Sequence, residues 1–163
     1  MSELGYSSFA VIDINTTSAV LQSLRIAQEQ KVHLAVGVDF RNGMQRQFIA
    51  LAKNNRGFHE MNVFLTKHLH ENLPIPKEAP YLANCNIIYP WNNIPSRPLR
   101  ENEYVGISLT DINKVVMEKH NDWFKKSVML QTMIFRNKQD FNTHRLLRAV
   151  DNNCLLSKLT TNQ

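Results

Sequence analysis

Two apolar runs, each ending in an aspartate and separated by one helix's worth of chain, constrain this sequence more than any other feature. The first, Ser8-Phe-Ala-Val-Ile-Asp13, is continuous, and Asn15-Thr16-Thr17 directly after it supplies helix-capping side chains. Val20, Leu24 and Ala27 then fall on one helical face with Leu21 beside them, before Val32-His-Leu-Ala-Val-Gly-Val38 leads into Asp39. This is a strand, a helix and a strand. A crossover of that length joins parallel strands covered on both faces, which is why neither run alternates with polar residues. After the Arg41-Asn-Gly43 turn, Gln47-Phe-Ile-Ala-Leu-Ala52 reads as a third strand in hairpin relation to the second.

The remaining chain continues the alternation. Phe58, Met61, Leu65 and Leu69 form a helical stripe, which Pro74-Ile-Pro76 should end. Asn84 to Tyr89 is a strand candidate, and the three prolines of residues 90–103 predict an irregular surface excursion. Tyr104 to Ser108 is short and extended. Thr110-Asp111 can cap a helix carrying Ile112, Val115 and Val116, and Ser127 to Phe135 returns to strand. Asn137 with Asp140 resembles a capping box for a last helix, whose Phe141, Leu146, Leu147 and Val150 should pack inward. Strands interleaved with helices predict an α/β domain, most simply a curved or barrel-like parallel sheet.

With 163 residues, 43% apolar and 20% charged, the chain has the makeup of one globular domain, which excludes disorder as its main state. Cys85 and Cys154 are too few for a disulfide framework, no run approaches the roughly 20 apolar residues of a membrane span, and residues 1–6 lack signal-peptide order. A cytoplasmic location with no membrane partner is therefore the expectation. The net charge of +5 favours polyanions without specifying one. Basic residues gather in the last third, at Lys125-Lys126, Arg136, Lys138, Arg145 and Arg148; Arg145 and Arg148 are the candidate nucleic-acid contacts.

Asp13 and Asp39 would sit at the C-terminal ends of adjacent parallel strands, where α/β folds collect ligands and catalytic groups. Paired carboxylates there suit magnesium or manganese, and complete mixed sites with histidine. The competing reading is that each aspartate caps a nearby turn. His68-Leu-His70 looks like a metal motif, but residues two apart on a helix point about 200° apart and cannot share an ion. His33, inside an apolar run, reads as a core histidine. His144 reads as core or cap, and His59 and His120 lie on polar faces. The chain has no phosphate-binding glycine loop and no C-x-x-C, G-x-S-x-G or H-E-x-x-H motif. The cysteines read as small hydrophobes, and Trp91 and Trp123 as covers for the sheet ends.

Gly5-Tyr-Ser-Ser-Phe-Ala-Val-Ile-Asp-Ile-Asn-Thr-Thr-Ser-Ala-Val20 resembles the second motif region of the polymerase and histidinol phosphatase (PHP) domain that begins the bacterial DNA polymerase III alpha subunit. Val36-Gly-Val-Asp-Phe40, Ile49-Ala-Leu-Ala-Lys-Asn-Asn-Arg-Gly-Phe58 and Leu65-Thr-Lys67 follow that family's order, as does Asn137-Lys-Gln-Asp-Phe-Asn-Thr-His-Arg-Leu-Leu-Arg-Ala-Val150. Together the resemblance runs from about Leu4 to Leu159. It implies a distorted (β/α) barrel of the PHP type, with residues 1–163 forming a single partial domain whose first strand and downstream polymerase domains are absent.

The family's barrel carries a metal cluster that works in some members as a phosphoesterase or exonuclease. Here the pattern departs: Ile14 follows Asp13 where the family has histidine, Gln47 stands where a histidine often opens the third strand, and Thr132 and Ile134 replace an acid and a histidine. Asp13 and Asp39 would be vestigial ligands, with magnesium, manganese or zinc bound only if the site works, and no catalytic residue or cofactor is expected. The resemblance thus implies part of a replicative DNA polymerase that is structural or partner-docking. Its partners would be the polymerase core of the same subunit, the proofreading exonuclease subunit and the replisome, with DNA met through the full-length protein. The alternatives are a metal-dependent phosphoesterase or 3′–5′ exonuclease, and a basic nucleic-acid-binding module.

Overall fold

The computed structural model describes residues 5–117, 122–132 and 135–159. The side chain of Val116, and His120 and Ile134 entirely, lie outside what is described. The chain divides into two compact units, Met1–Leu130 and Gln131–Gln163.

The first unit is mixed α/β. In chain order it has β1 (Ser8–Ile14), α1 (Val20–Glu29), β2 (His33–Asn42), β3 (Gln45–Ala52), α2 (Asn55–His70), β4 (Cys85–Pro90), β5 (Glu103–Ile107), α3 (Ile112–Met117) and β6 (Ser127–Met129), with single 3-10 turns at Trp91–Asn93 and Asp122–Lys126. The strands form one six-stranded sheet in sequence order, β1 to β6, curled as a half-barrel. The sheet is mixed rather than simply parallel, with the expected hairpin between β2 and β3: β1 and β2 are parallel, β3 is antiparallel to both β2 and β4, and β4, β5 and β6 are parallel. The cause is the short Gly43-Met44 connection, which can only reverse the chain.

Helix α2 starts where Asn54 Oδ1 accepts the Gly57 amide at 3.0 Å. It ends at His70, before Pro74, as Asn72 turns the chain with φ 51°. Its Met61 and Leu65 are buried against Val38, Phe40, Phe48, Ala50, Ile87 and Tyr89. Phe64 meets Phe40 edge-on with ring centroids 5.3 Å apart, so α2 covers the outer face of the sheet's centre. A second cluster sets Val105, Ile107 and Val115 against Trp91, Leu99 and Trp123, which places both tryptophans over apolar residues of the β5 side.

The inner face of the curl is crowded in its middle. A Cβ on Gly37 would lie 2.5 Å from the Ala50 carbonyl oxygen, and one on Gly106 2.8 Å from both Ile88 and Leu130 side chains. At Gly37, where the obstacle is backbone, only glycine admits that approach. Toward the β1 edge the same face opens, so His33 is exposed rather than in the core. The β6 strand is shorter than its apolar run predicts, ending at Met129. On α1 only Val20 and Ala27 are buried, while Leu21 is 78% exposed.

In the second unit, α4 (Lys138–Asp151) is capped as expected, with Asn137 Oδ1 accepting the Asp140 amide at 2.9 Å. Phe141 meets Phe135 edge-on with ring centroids 5.3 Å apart, Leu146, Leu147 and Val150 are exposed, and Ala149 is buried. His144 is exposed too, its ring 5.1 Å from that of Phe135. Among the described residues, no helix is long and apolar enough to cross a membrane.

Candidate functional site

Asp39 lies where β2 approaches its hairpin, on the inner face of the sheet, and is 3% exposed. A register shift between Phe40 and Arg41 inserts Gln47 as an extra residue and brings Arg41 opposite Arg46. Both guanidinium groups then reach Asp39. Arg41 Nη2 donates to Oδ2 at 2.6 Å, while Arg46 donates through Nη2 to Oδ2 at 2.7 Å and through Nε to Oδ1 at 3.0 Å. Asn15, held at φ 49°, fastens the end of β1 to this corner: its Nδ2 donates to the Arg41 carbonyl, and its Oδ1 accepts the Arg41 amide. Two cations thus surround one carboxylate, and Arg41 Nε is buried without a partner.

Asp13 is not part of this cluster. The parallel register pairs Asp39 with Ile14 and Asp13 with Val38, so by the two-residue alternation of a strand the two aspartates point to opposite faces. Asp13 Oδ2 accepts the Ala19 amide at 3.0 Å, at the entry to α1. The turn-capping alternative describes Asp13, and paired arginines describe Asp39. The two residues therefore do not fit a shared metal site, and among the described residues no three His, Cys, Asp or Glu side chains gather as metal ligands. Gln47 is buried, giving Nε2 to the Gln45 carbonyl and leaving Oε1 unpartnered, and Thr132 is exposed. His68 is turned back on its helix, Nδ1 donating to the Phe64 carbonyl at 2.9 Å.

Arg145 and Arg148 lie on α4 with local partners. Arg145 stacks over the Phe141 ring at 5.8 Å, and Arg148 pairs with Asp151 at 3.1 Å.

A second carboxylate cluster was not anticipated from sequence. Glu103, fully buried on the outer face of β5, accepts Arg97 Nη1 and Nη2 at 2.7 and 2.8 Å, the Arg100 amide at 2.7 Å and the Tyr89 hydroxyl at 3.2 Å. The Tyr89 oxygen in turn accepts the Ala79 amide at 3.0 Å. Burial by itself would raise the Glu103 carboxyl, but the Arg97 and Arg100 hydrogen bonds outweigh it and hold the group below the ordinary glutamate value. Burial also pushes the Tyr89 phenol up to about 12, which keeps it protonated and able to donate. The one visible signal was Arg97, Arg100 and Glu103 at three-residue spacing. Cys85, its thiol pushed up to about 12 by burial, donates Sγ–H to the Gly57 carbonyl.

In comparison with known proteins, no family model matches the chain and no curated protein matches it.

Proposed function

We propose that this chain is a non-catalytic domain of the PHP type belonging to the alpha subunit of a bacterial replicative DNA polymerase, where it buttresses the polymerase core and offers a docking face to the proofreading exonuclease subunit. The observation that carries the non-catalytic part is the arginine pair on Asp39. A carboxylate that would help hold a divalent cation at the strand end has its charge balanced by guanidinium groups of its own hairpin. That arrangement keeps the corner rigid and removes the open oxygen ligands that metal-assisted hydrolysis needs. The family assignment rests on the ordered motifs from Gly5 to Val150, and the curled α/β sheet is compatible with an incomplete barrel. In this reading β1, at the edge of the sheet with Ser8, Ala10 and Ile14 exposed, belongs to the surface offered to the partners.

The test mixes the full chain with a DNA polymerase III alpha subunit core stripped of its own PHP domain. A stoichiometric complex in sedimentation velocity, with primer extension raised over the core alone, is expected. No association at micromolar concentrations would overturn the reading, and manganese-dependent phosphodiester hydrolysis by the chain alone would replace it with the phosphoesterase.

A further inference from the structure

Beside the Glu103 cluster, with Arg100 common to both, a polar cavity of about 370 Å³ opens at the end of the sheet where β3 finishes and β5 begins. Lys53 follows β3, Tyr81 precedes β4, Arg100, Glu101 and Asn102 lead into β5, and Tyr104 lies within it. The volume falls within the roughly 300–1,000 Å³ of small-molecule sites.

Its chemistry is that of an aromatic and cationic cradle. The Arg100 guanidinium sits 5.7 Å over the Tyr81 ring, with Nη1 steadied by the Ala79 carbonyl at 3.3 Å and by Glu103 at 3.4 Å. Asn102 is fixed by donating Nδ2 to the Leu82 and Cys85 carbonyls, and the Lys126 amine donates to the Arg100 and Glu101 carbonyls, adding positive charge beside the cavity. Tyr81 is 70% exposed, so its ring contributes little to the core. An anion alone would need no phenol rings, and an apolar ligand would gain nothing from Lys53 and Arg100.

We propose that this cavity binds a nucleotide, with the planar base against Tyr81 and Tyr104, the phosphate toward Lys53 and Arg100, and Glu101 accepting a hydrogen bond from a sugar hydroxyl or exocyclic amine. Aromatic platforms beside cationic groups hold nucleotides in this way without reading sequence. The source is a free nucleotide or the phosphorylated end of a single strand. The inference stands on the cavity alone and is independent of the polymerase reading.

The experiment titrates the isotopically labelled full chain, followed by amide NMR shifts, with deoxyadenosine monophosphate, deoxyadenosine, inorganic phosphate and 5′-phosphorylated oligo(dA). The monophosphate should saturate shifts around Lys53, Tyr81 and Tyr104, with deoxyadenosine and phosphate each at least about tenfold weaker. Tyr81→Ala and Lys53→Ala, both at exposed positions, should each weaken it about tenfold while the melting curve stays in place. An oligonucleotide bound more tightly than the monophosphate assigns the site to strand ends, and equal or weaker binding assigns it to free nucleotide. No saturable shift with either nucleotide, phosphate binding as well as the monophosphate, or an unchanged affinity in Tyr81→Ala would overturn the proposal.

Discussion

Asp39 and Glu103 are both buried carboxylates met by arginines a few residues away in the chain, but they differ in what else reaches the carboxylate. Asp39 draws Arg41 and Arg46 from its own hairpin, and their side chains keep 18% and 22% exposure. Glu103 meets Arg97 and Arg100, 28% and 35% exposed, from the proline-rich excursion and Tyr89 from the neighbouring strand, and Tyr89 also holds Ala79 from the segment before β4. Each corner also holds a more distant segment, but at the Asp39 corner Asn15 bonds the Arg41 backbone, whereas at Glu103 the Tyr89 hydroxyl that holds Ala79 bonds the carboxylate itself. Similar ion pairing thus serves two purposes, decided by what else meets the carboxylate.

The sharpest way to break the comparison is Glu103→Ala, which leaves a core cavity and takes the carboxylate from the Arg97 guanidinium, the Arg100 amide and the Tyr89 hydroxyl at once, and should cost about 3–5 kcal/mol in urea unfolding even though Arg97 keeps Glu78. A loss no greater than that of Asp39→Ala would erase the distinction between the clusters. Asp39→Ala should cost about 2 kcal/mol, since the side-chain bonds it gives up are those to Arg41 and Arg46 of its own hairpin, with no phenol and no backbone amide among them.

Acid titration tests the Glu103 cluster by itself. The folded-state Glu103 value lies below the ordinary 4.5, so its contribution is complete above that pH and is lost as pH falls through the folded value. The wild-type melting temperature should therefore fall more steeply below pH 4.5 than that of Glu103→Gln. Parallel curves would remove Glu103 from the account. Asp13→Ala should cost about 1 kcal/mol, with Asp13→Asn close to wild type because an amide oxygen can accept the Ala19 amide equally well. The smallest effect expected is for Arg148→Ala, within about 0.5 kcal/mol, as its Asp151 pair is exposed on α4.

Elements with a local period were legible in the sequence. The first strand, helix and strand, the hairpin after Arg41, the Met61 and Leu65 stripe and the Asn137 cap all follow from spacing within a few residues. The relation between Asp13 and Asp39 did not, because both end apolar runs and their faces are set by register, which belongs to the pair of strands. The extra residue at Gln47, which turns Arg46 toward Asp39, is likewise a property of pairing. Periodicity marked an apolar face on α4 correctly, but nothing in a period says whether that face is covered, and Leu146 and Leu147 stand exposed. The Glu103 cluster escaped because Tyr89 reaches it across strands.

The central claim is that guanidinium groups, rather than a divalent ion, balance Asp39. Calorimetric titration of the full chain with manganese and with zinc, alongside Asp39→Ala, tests it directly. The account predicts no saturable heat that depends on Asp39; a saturable isotherm tighter than about 10 μM that disappears in Asp39→Ala would contradict it.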